Sequence, residues 1–371
     1  MFAQDTEPTV KNGIWIETDD YSITDIVASS DVFDSASWDT NKMSNLKLMP
    51  INFKDGAAAN VGTDIYLFGG AGVHATSRTA YKYDTLTDTY TQLKNMPDDF
   101  YSTNAVAVGT NIYLFFTYAG GNTNRAYKYD TLANTYTSLK NNPGQLYLPS
   151  LASIGTNVYL FGSYSGKSAS KYDTLTNDYT SLTDTPYNNY NCTIVSVEDN
   201  IYLFGGDYGP TNAYKYDTKL NSYTQLTDIP YSFVNGVAIA IGKKIYIFGG
   251  TNNTNKAYEY NTLTDTYTLL DNMPYSSTYS AIAKTDDDTE IYIFGGETYP
   301  KNVQVLKLAS TGYTNGSFVI SQNSNTYSTK LIANDNGITS GFNNAWIYTT
   351  DFVNGLPTYY GNGTQWVKFK N

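Results

Sequence analysis

The chain is poor in the residue types on which most catalytic and metal sites depend. Its 371 residues include one cysteine (Cys192), one histidine (His74) and two arginines (Arg78 and Arg125). A single cysteine cannot form an intramolecular disulfide, and one histidine with one cysteine cannot supply the clustered ligands of a usual zinc or copper site. Two arginines leave little capacity for bidentate binding of carboxylate or phosphate. We therefore expect no cofactor, no metal ion and no enzymatic activity.

Positive charge and long apolar runs are also scarce. Lys and Arg total 23 against 34 Asp and Glu, so the formal net charge is −11. Binding to nucleic acid needs clustered basic residues, and the sequence predicts no such partner. No stretch approaches the roughly 20 apolar residues of a membrane helix, and residues 1–13 lack the apolar run of a secretory signal. We expect no membrane insertion and synthesis without a signal peptide.

One phrase, Ile-Tyr-Leu-Phe-Gly-Gly, recurs along most of the chain. Four good copies begin at Ile65, Ile201, Ile245 and Ile291, and two altered copies begin at Ile112 and Val158. The tyrosines of the six copies are separated by 47, 46, 43, 44 and 46 residues. A period in the forties, with strand-type sequence throughout, predicts one blade of a β-propeller per repeat.

The second repeat shows the pattern of a single blade. Residues 104–108 alternate small and apolar side chains, and residues 112–116 form a nearly continuous apolar run. Residues 126–130 alternate again, and residues 135–139 follow after a short turn. These patterns predict four strands, with the apolar second strand buried between neighbouring blades.

Three marks make these repeats resemble the kelch repeat. A Gly-Gly pair follows the second strand at residues 69–70, 205–206, 249–250 and 295–296. A Tyr-Asp pair stands in the third strand at 83–84, 129–130, 172–173 and 216–217, with Tyr260-Asn261 as a departure. The usual fourth-strand tryptophan is replaced by Tyr90, Tyr136, Tyr179, Tyr223 and Tyr267. The resemblance covers roughly residues 31–308 and implies an all-β fold, a six-bladed kelch-type β-propeller.

The sixth repeat lacks an outer strand of its own. Leu46-Lys-Leu-Met-Pro50 matches Leu93-Lys-Asn-Met-Pro97 one period of 47 residues later. We therefore predict that a strand near residues 45–49 completes the last blade and closes the ring, which removes an open sheet edge. Residues 1–30 are predicted to be an N-terminal attachment segment. Residues 309–371 are predicted to be a small β-rich C-terminal module.

The repeats differ from one another on one side only. Because strands alternate in direction, loops joining second to third strands and loops joining blades share one side, the loop face. Turns joining first to second and third to fourth strands share the opposite side, the turn face. Turn-face sequences barely change, as in Asp84-Thr-Leu-Thr-Asp88 and Asp173-Thr-Leu-Thr-Asn177, whereas loop-face sequences diverge completely.

Tyrosines without a place in the repeat pattern gather on the predicted loop face. We predict them as ligand-binding residues: Tyr101, Tyr118, Tyr147, Tyr164, Tyr187, Tyr190, Tyr208, Tyr231, Tyr275 and Tyr279. Tyrosine among Ser, Gly and Asn makes an adaptable recognition surface, and aromatic faces beside amides also suit sugars. The alternative, that these tyrosines only cover the tops of the blades as packing, stays open.

Both ends of the chain carry a second resemblance. Pro8-Thr-Val-Lys-Asn-Gly-Ile-Trp-Ile-Glu17, residues 344–350 and residues 359–368 resemble segments of tail proteins from phages of low-GC, clostridial-type Gram-positive bacteria. The resemblance implies a non-catalytic receptor-binding protein of a phage tail or phage-tail-like bacteriocin, made in the host cytoplasm and located in the virion or tail-like particle. The loop face would bind a bacterial S-layer protein or wall glycan. The chain ends would bind other tail proteins or sister subunits in a homo-oligomer.

Two other functions stay open, an intracellular kelch scaffold for protein–protein interaction and a carbohydrate-active propeller enzyme with paired acids. Asp286-Asp-Asp-Thr-Glu290, the densest acidic cluster, is either a solvated hairpin tip or a calcium site. His74 is expected to be a solvated loop side chain, and Cys192 a small buried residue of an inner strand.

Overall fold

The chain folds into two compact units. One is Ala36–Leu308, and the other combines Met1–Ser35 with Ala309–Asn371. The computed structural model describes residues 2–3, 15–16, 22–26, 35–70, 77–98, 100–118, 125–141, 149–163, 166–251, 255–309, 314–322, 325–333, 345–349, 358–361 and 366–369. No helix among these residues is long and apolar enough to cross a membrane.

The first unit is a closed ring of six four-stranded sheets, numbered here as blades 1 to 6. Each inner strand contacts the inner strands of both neighbouring blades, and that of blade 6 contacts that of blade 1. The inner strands are Ala57–Val61, Phe100–Val108, Ser150–Ile154, Thr193–Val197, Val237–Ile241 and Ala281–Lys284. The prediction of an all-β, six-bladed propeller is confirmed.

The remaining strands follow outwards in each blade. Neighbouring strands run antiparallel, as the pairings in blades 1 and 4 show. The second strands are Asp64–Phe68, Asn111–Tyr118, Asn157–Ser163, Asn200–Phe204, Lys244–Phe248 and Glu290–Phe294. The third strands are Ala80–Asp84, Ala126–Asp130, Gly166–Asp173, Ala213–Asp217, Ala257–Asn261 and Val303–Ala309. The outer strands are Thr89–Gln92, Thr135–Ser138, Asp178–Ser181, Ser222–Gln225, Thr266–Leu269 and, in blade 6, Ser35–Trp38.

The apolar second strands form the core between blades. In blade 1, Ile65 and Leu67 pack on Tyr292 of blade 6, while Phe68 packs on Tyr129 of blade 2. Both faces of the strand are therefore buried, which explains its continuous rather than alternating apolar sequence. Full burial of each such side chain contributes about 1.5–3 kcal/mol, so the core also holds neighbouring blades together.

The strand that completes blade 6 lies earlier than predicted. It is Ser35–Trp38, not a segment near residues 45–49. Helix α1 (Thr40–Asn45) follows, with Asp39 as its N-cap. Lys47 N donates to Asp88 of blade 1, as Lys94 N donates to Asn134 of blade 2. The match between residues 46–50 and 93–97 therefore reflects a shared connection that comes after the outer strand, and the inserted helix displaces the strand itself.

Trp38 takes the place of the outer-strand tyrosines in blade 6. Its indole Nε1 donates to the carbonyl of Asp271 at 3.1 Å, as the hydroxyl of Tyr267 donates to Thr227 at 3.1 Å. Its ring meets Phe248 of blade 5 edge to face. A second contact holds α1 on blade 6, because Lys42 of α1 forms an ion pair at 2.6 Å with Glu290 in the second strand of that blade.

The second unit brings both ends of the chain into one sheet. Its strand order is Ser22–Ile26, Thr314–Gln322, Asn325–Ala333, Ala345–Thr349, Thr358–Gly361 and Trp366–Phe369. The first of these strands pairs antiparallel with the second. A separate parallel pair joins Phe2–Ala3 and Trp15–Ile16. The sequence had predicted two separate segments, whereas the sheet contains strands from both.

Candidate functional site

The uniform sequences of the turn face have a structural cause. Asp84 Oδ1 accepts hydrogen bonds from Leu86 N at 2.9 Å and Thr87 N at 3.0 Å. The same pair of bonds recurs at Asp130, Asp173, Asp217 and Asn261. The turn ends on a residue with φ between 50° and 56°, always Asp or Asn, which tolerate this conformation best.

That last turn residue also joins neighbouring blades. Asn134 Oδ1 accepts from the hydroxyl of Tyr129 at 2.9 Å and from Lys94 N of the preceding connection at 3.0 Å. Equivalent bonds are made by Asp88, Asn177, Asn221 and Asp265. The Tyr-Asp mark and the Asp or Asn four residues after that Asp are therefore parts of one joint. Structure alone accounts for their uniformity.

On the loop face, the glycine pairs hold the loop that joins each blade to the next. Gly206 N donates to the carbonyl of Phe233, and Gly250 N donates to that of Ser277. A β-carbon on Gly205 would clash with the Phe233 carbonyl, and its φ is +66°. Only glycine fits such an approach. The loops thus differ in sequence, whereas the backbone contacts that hold them are the same.

Four of these joining loops are also tied to one another. Asn235 N donates to the carbonyl of Asn191 at 3.3 Å, Tyr279 N to that of Asn235 at 3.1 Å, and Asp55 N to that of Tyr279 at 3.0 Å. All four residues have φ between 56° and 60°, which is unusual for an aromatic residue such as Tyr279. They precede the inner strands of blades 4, 5, 6 and 1, so we call them the mouth residues.

The inner strands enclose a central channel of about 460 Å³. Ala, Ser, Val and Ile form most of its wall, and Lys284 is the one charged residue among those that line it. Lys284 lies at the turn-face end and pairs with Asp288 at 2.5 Å. The channel wall therefore offers little chemistry, and the candidate site is at the loop-face end.

Negative charge gathers around the mouth residues. Burial raises the pKa of Asp55 to about 6, Lys54 opposes that shift, and Glu297 adds to it. Burial also raises the pKa of Asp207, against a hydrogen bond from Asn191. Lys54 pairs with Glu297 at 2.6 Å and lies 4.9 Å from the ring centre of Tyr279. Asp55, Glu297 and Asp207 thus all lie near Tyr279, with Lys54 beside its ring, so carboxylates outnumber ammonium groups there and suit a partner that brings positive charge.

The ten predicted tyrosines fall into different environments. Tyr208 is 61% exposed, and Tyr190, Tyr275 and Tyr279 are half-buried. Tyr101 and Tyr118 lie in the inner and second strands of blade 2, which extend further towards the loop face than those of blade 1. Tyr147 and Tyr164 lie outside the described residues. Among the members whose burial is described, Tyr208 is the most exposed.

Tyr187 and Tyr231 are corrections to the predicted set. Both are buried, and their hydroxyls donate to the carbonyls of Gly205 at 2.8 Å and Gly249 at 3.0 Å. The ring of Tyr187 packs on Tyr214, and the ring of Tyr231 packs on Tyr258. Both partners lie in third strands. Each follows a proline at the same place in its repeat, as does the half-buried Tyr275, so that position alone does not distinguish a packing residue from a more exposed one.

The sequence interpretation missed Tyr299. This residue is 41% exposed and lies in the loop between the second and third strands of blade 6, with its ring 4.8 Å from that of Tyr275. Its only sequence signal is its position in a divergent loop. Among loop-face aromatic residues whose side-chain burial is described, Tyr208 and Tyr299 are exposed.

Cys192 and the acidic cluster at residues 286–290 offer few reactive or metal-binding groups. Cys192 is buried, and burial raises its pKa to about 12, so the thiol stays protonated. In the acidic cluster, Asp287 accepts from Thr289, Asp288 pairs with Lys284, and Glu290 pairs with Lys42. Across the described residues, no group of three or more His, Cys, Asp or Glu side chains could hold a metal ion. His74 lies outside the described residues.

Two segments of the ring match the Kelch motif family model, residues 53–97 and 233–274. Each segment spans a joining loop and the blade that follows it, blade 1 and blade 5 respectively. The ring is a kelch-repeat propeller. No curated protein sequence matches the chain. A propeller of this type suggests a role in protein–protein binding.

Proposed function

We propose that this kelch propeller is the non-catalytic receptor-binding part of a phage-tail or phage-tail-like bacteriocin protein. Its loop face binds a protein or glycan on the surface of a bacterium, and the protein resides in the virion or tail-like particle. The observation that carries the proposal is the division between faces. Turn-face uniformity is explained by the joints between blades, whereas loop-face sequence varies on a fixed frame.

Rigidity of that frame supports recognition. The bonds from Asn191 through Asn235 and Tyr279 to Asp55 hold four joining loops in place before any partner arrives. A partner then binds without having to order those loops, which lowers the entropic penalty of association. Exposed Tyr208 and Tyr299 supply large contact area with few rotatable bonds.

The path of the chain places both of the ring's connections to the rest of the chain on one face. The third strand of blade 6 ends at Ala309, and its outer strand begins at Ser35, where the other blades have a turn-face hairpin. The chain therefore enters and leaves the ring at the turn face. Attachment through the chain ends and recognition through the loop face do not compete for the same strand ends.

Attachment to bacterial cells tests the proposal. Fluorescent full-length protein should bind intact cells of at least one low-GC Gram-positive species in a panel, and Tyr208→Ala with Tyr299→Ala should weaken binding about tenfold or more. Leu48→Ala with Leu269→Ala removes equally exposed side chains from the rim of the ring and serves as the control. Protease treatment of the cells identifies a protein receptor, and periodate treatment identifies a glycan. Equal binding by both double variants would contradict the loop-face assignment.

Two further measurements address the other functions. Soluble sugar released from purified envelope by the wild-type protein would indicate a carbohydrate-active enzyme. Absence of binding to every envelope in the panel, with capture of cytoplasmic proteins instead, would favour an intracellular scaffold.

A further inference from the structure

Two junctions of the ring, between blades 6 and 1 and between blades 4 and 5, are built alike on the loop face. Gly296 N donates to the carbonyl of Phe53 at 2.8 Å in the first junction, and Gly206 N donates to that of Phe233 at 2.9 Å in the second. A glycine follows each phenylalanine three residues later, and an acidic residue follows each glycine pair. The two junctions can therefore be compared position by position.

At the junction of blades 6 and 1, the chain supplies a cation for its own acid. Lys54, which directly follows Phe53, forms an ion pair with Glu297 at 2.6 Å. The Nζ of Lys54 also lies 4.9 Å from the ring centre of Tyr279. A carboxylate and an aromatic ring thus hold one ammonium group at this junction.

At the junction of blades 4 and 5, the acid is kept and the cation is not. Asp207 is the equivalent of Glu297, but Val234 stands in the place of Lys54. Asp207 Oδ2 accepts a hydrogen bond from the neutral amide of Asn191 at 3.1 Å, and the carboxylate forms no ion pair with a described residue. The second junction therefore has an acid of the same kind without the ammonium group that pairs with it in the first.

An exposed aromatic ring accompanies this unpaired acid. Tyr208 directly follows Asp207 in the chain, and both side chains are exposed. A lysine side chain from outside can pack its methylene stem on such a ring and place its ammonium group at the carboxylate. The junction of blades 4 and 5 thus offers both groups that a lysine side chain needs.

We propose that Asp207 and Tyr208 bind a lysine side chain of a protein partner. The inference rests on the proposed function, since that partner is the receptor on the bacterial surface. Lysine is favoured because Lys54 fills the equivalent place at the other junction. A protein is favoured over a glycan because that occupant is an amino-acid side chain and because a propeller of this type suggests protein binding.

Binding of the full-length protein to immobilised polylysine tests the site without cells. Asp207→Asn should weaken this binding about threefold or more in roughly 0.15 M salt. Asp173→Asn removes the same charge from the turn face and serves as the control, because Asn261 makes the same turn hydrogen bonds in blade 5. Equal weakening by the two variants would exclude a lysine site at Asp207.

A lysine placed in the chain itself should occupy the site. Val234→Lys restores the arrangement of Lys54, so attachment to cells should fall about threefold or more, and added Asp207→Asn should weaken it no further. Val234→Met, which has a long side chain without charge, should attach like the wild type. Circular dichroism checks that each variant is folded. Normal attachment of the Val234→Lys variant would overturn the proposal.

Acetylation of amino groups on the cells identifies the occupant. Acetylated cells should bind the wild type only as well as untreated cells bind the Asp207→Asn variant, and protease treatment should remove the amine-dependent binding. Binding insensitive to acetylation would exclude lysine, and amine-dependent binding that survives protease would place the ammonium group on a glycan. Either result contradicts the proposal. If the wild type attaches to no cells, the proposed function fails, and the polylysine comparison still decides whether Asp207 binds lysine.

Discussion

Asp55 occupies a position that asparagine fills in blades 4 and 5. Asn191 and Asn235 share its left-handed backbone and its place among the mouth residues. Because burial raises the pKa of Asp55 from 3.8 to about 6, the folded protein binds this proton more tightly than the unfolded chain does. The contribution of Asp55 to the free energy of unfolding therefore falls as pH rises from about 4 to about 6 and stays low above that range.

Asparagine at residue 55 should remove this pH dependence. Asp55→Asn keeps the backbone conformation, so we expect the variant to be more stable than the wild type above pH 7, by on the order of 1–2 kcal/mol. Near pH 3.5 the difference should be small, since Asp55 is then protonated in the folded state and mostly protonated in the unfolded chain. Urea unfolding of both proteins across this range measures the difference, in which other titrating groups cancel. A stability difference between the two proteins that does not change with pH would disprove the raised pKa of Asp55.

Single residues also mark the limit of prediction from sequence. Tyrosine has both a large apolar ring and a hydroxyl, so it serves equally as a buried packing residue and as an exposed contact. Tyr187 is buried with its hydroxyl on a backbone carbonyl, whereas Tyr208 is exposed, although both belong to divergent segments. Composition and position identified the loop face. The burial of each ring depends on neighbouring loops, which the repeat period does not specify.

At the scale of elements, the joining loops that lead into blades 1, 5 and 6 share a pair of packed positions three residues apart. In blades 1 and 5 the pair is phenylalanine and glycine, Phe53 with Gly56 and Phe233 with Gly236. A β-carbon on either glycine would clash with the phenylalanine ring. Blade 6 has Ser277 and Ser280 instead, and the Ser277 hydroxyl is buried without a partner among the described residues.

The two positions should therefore be coupled. Ser277→Phe with Ser280→Gly should raise the free energy of unfolding by about 1–3 kcal/mol, because a buried ring replaces an unpaired hydroxyl. Ser277→Phe alone should destabilise the ring, since the Ser280 side chain occupies the space that the phenyl group needs. A double-mutant cycle in urea measures the coupling. Strictly additive effects would show that the two residues do not share one space.

Elements inside the repeats were predictable because each of their positions recurs with a period of 43 to 47 residues. The strand Ser35–Trp38 was not, since helix α1 separates it from the connection that follows and shifts it off the period. Its signal was a single residue. Trp38 is the aromatic side chain that an outer strand needs, but nothing near it in the sequence matches the Thr-Tyr-Thr of other blades.

At the scale of the whole molecule, one short strand makes the ring continuous. The contacts of Trp38 with blade 5 and of Lys42 with Glu290 hold that strand and α1 against blade 6. Without the strand, the third strand of blade 6 becomes an open edge. At the junction of blade 6 with blade 1, the buried hydroxyl of Tyr90 has no hydrogen-bond partner among the described residues, whereas Tyr136 donates to Lys94 at the junction of blades 1 and 2.

Two truncations separate the strand from the rest of the N-terminal segment. Removal of residues 1–34 should leave the ring's melting transition nearly unchanged, and removal of residues 1–38 should lower its free energy of unfolding by about 3 kcal/mol or more. Both variants lose Ser22–Ile26 from the second unit, so the difference reports on Ser35–Trp38. Calorimetry with limited proteolysis of blade 6 measures it. Identical transitions for the two truncations would exclude closure by this strand.

The origin of the closing strand has a consequence for biosynthesis. Ser35–Trp38 emerges from the ribosome before any blade, yet its partner Val303–Ala309 begins 303 minus 38, or 265, residues later. At ordinary translation rates the early strand waits for tens of seconds. During that interval the blades already made form an open arc, of up to five blades, whose end strands are unpaired and prone to pair with other nascent chains. Protein yield is therefore expected to depend on chaperones that shield this arc until the last blade is made.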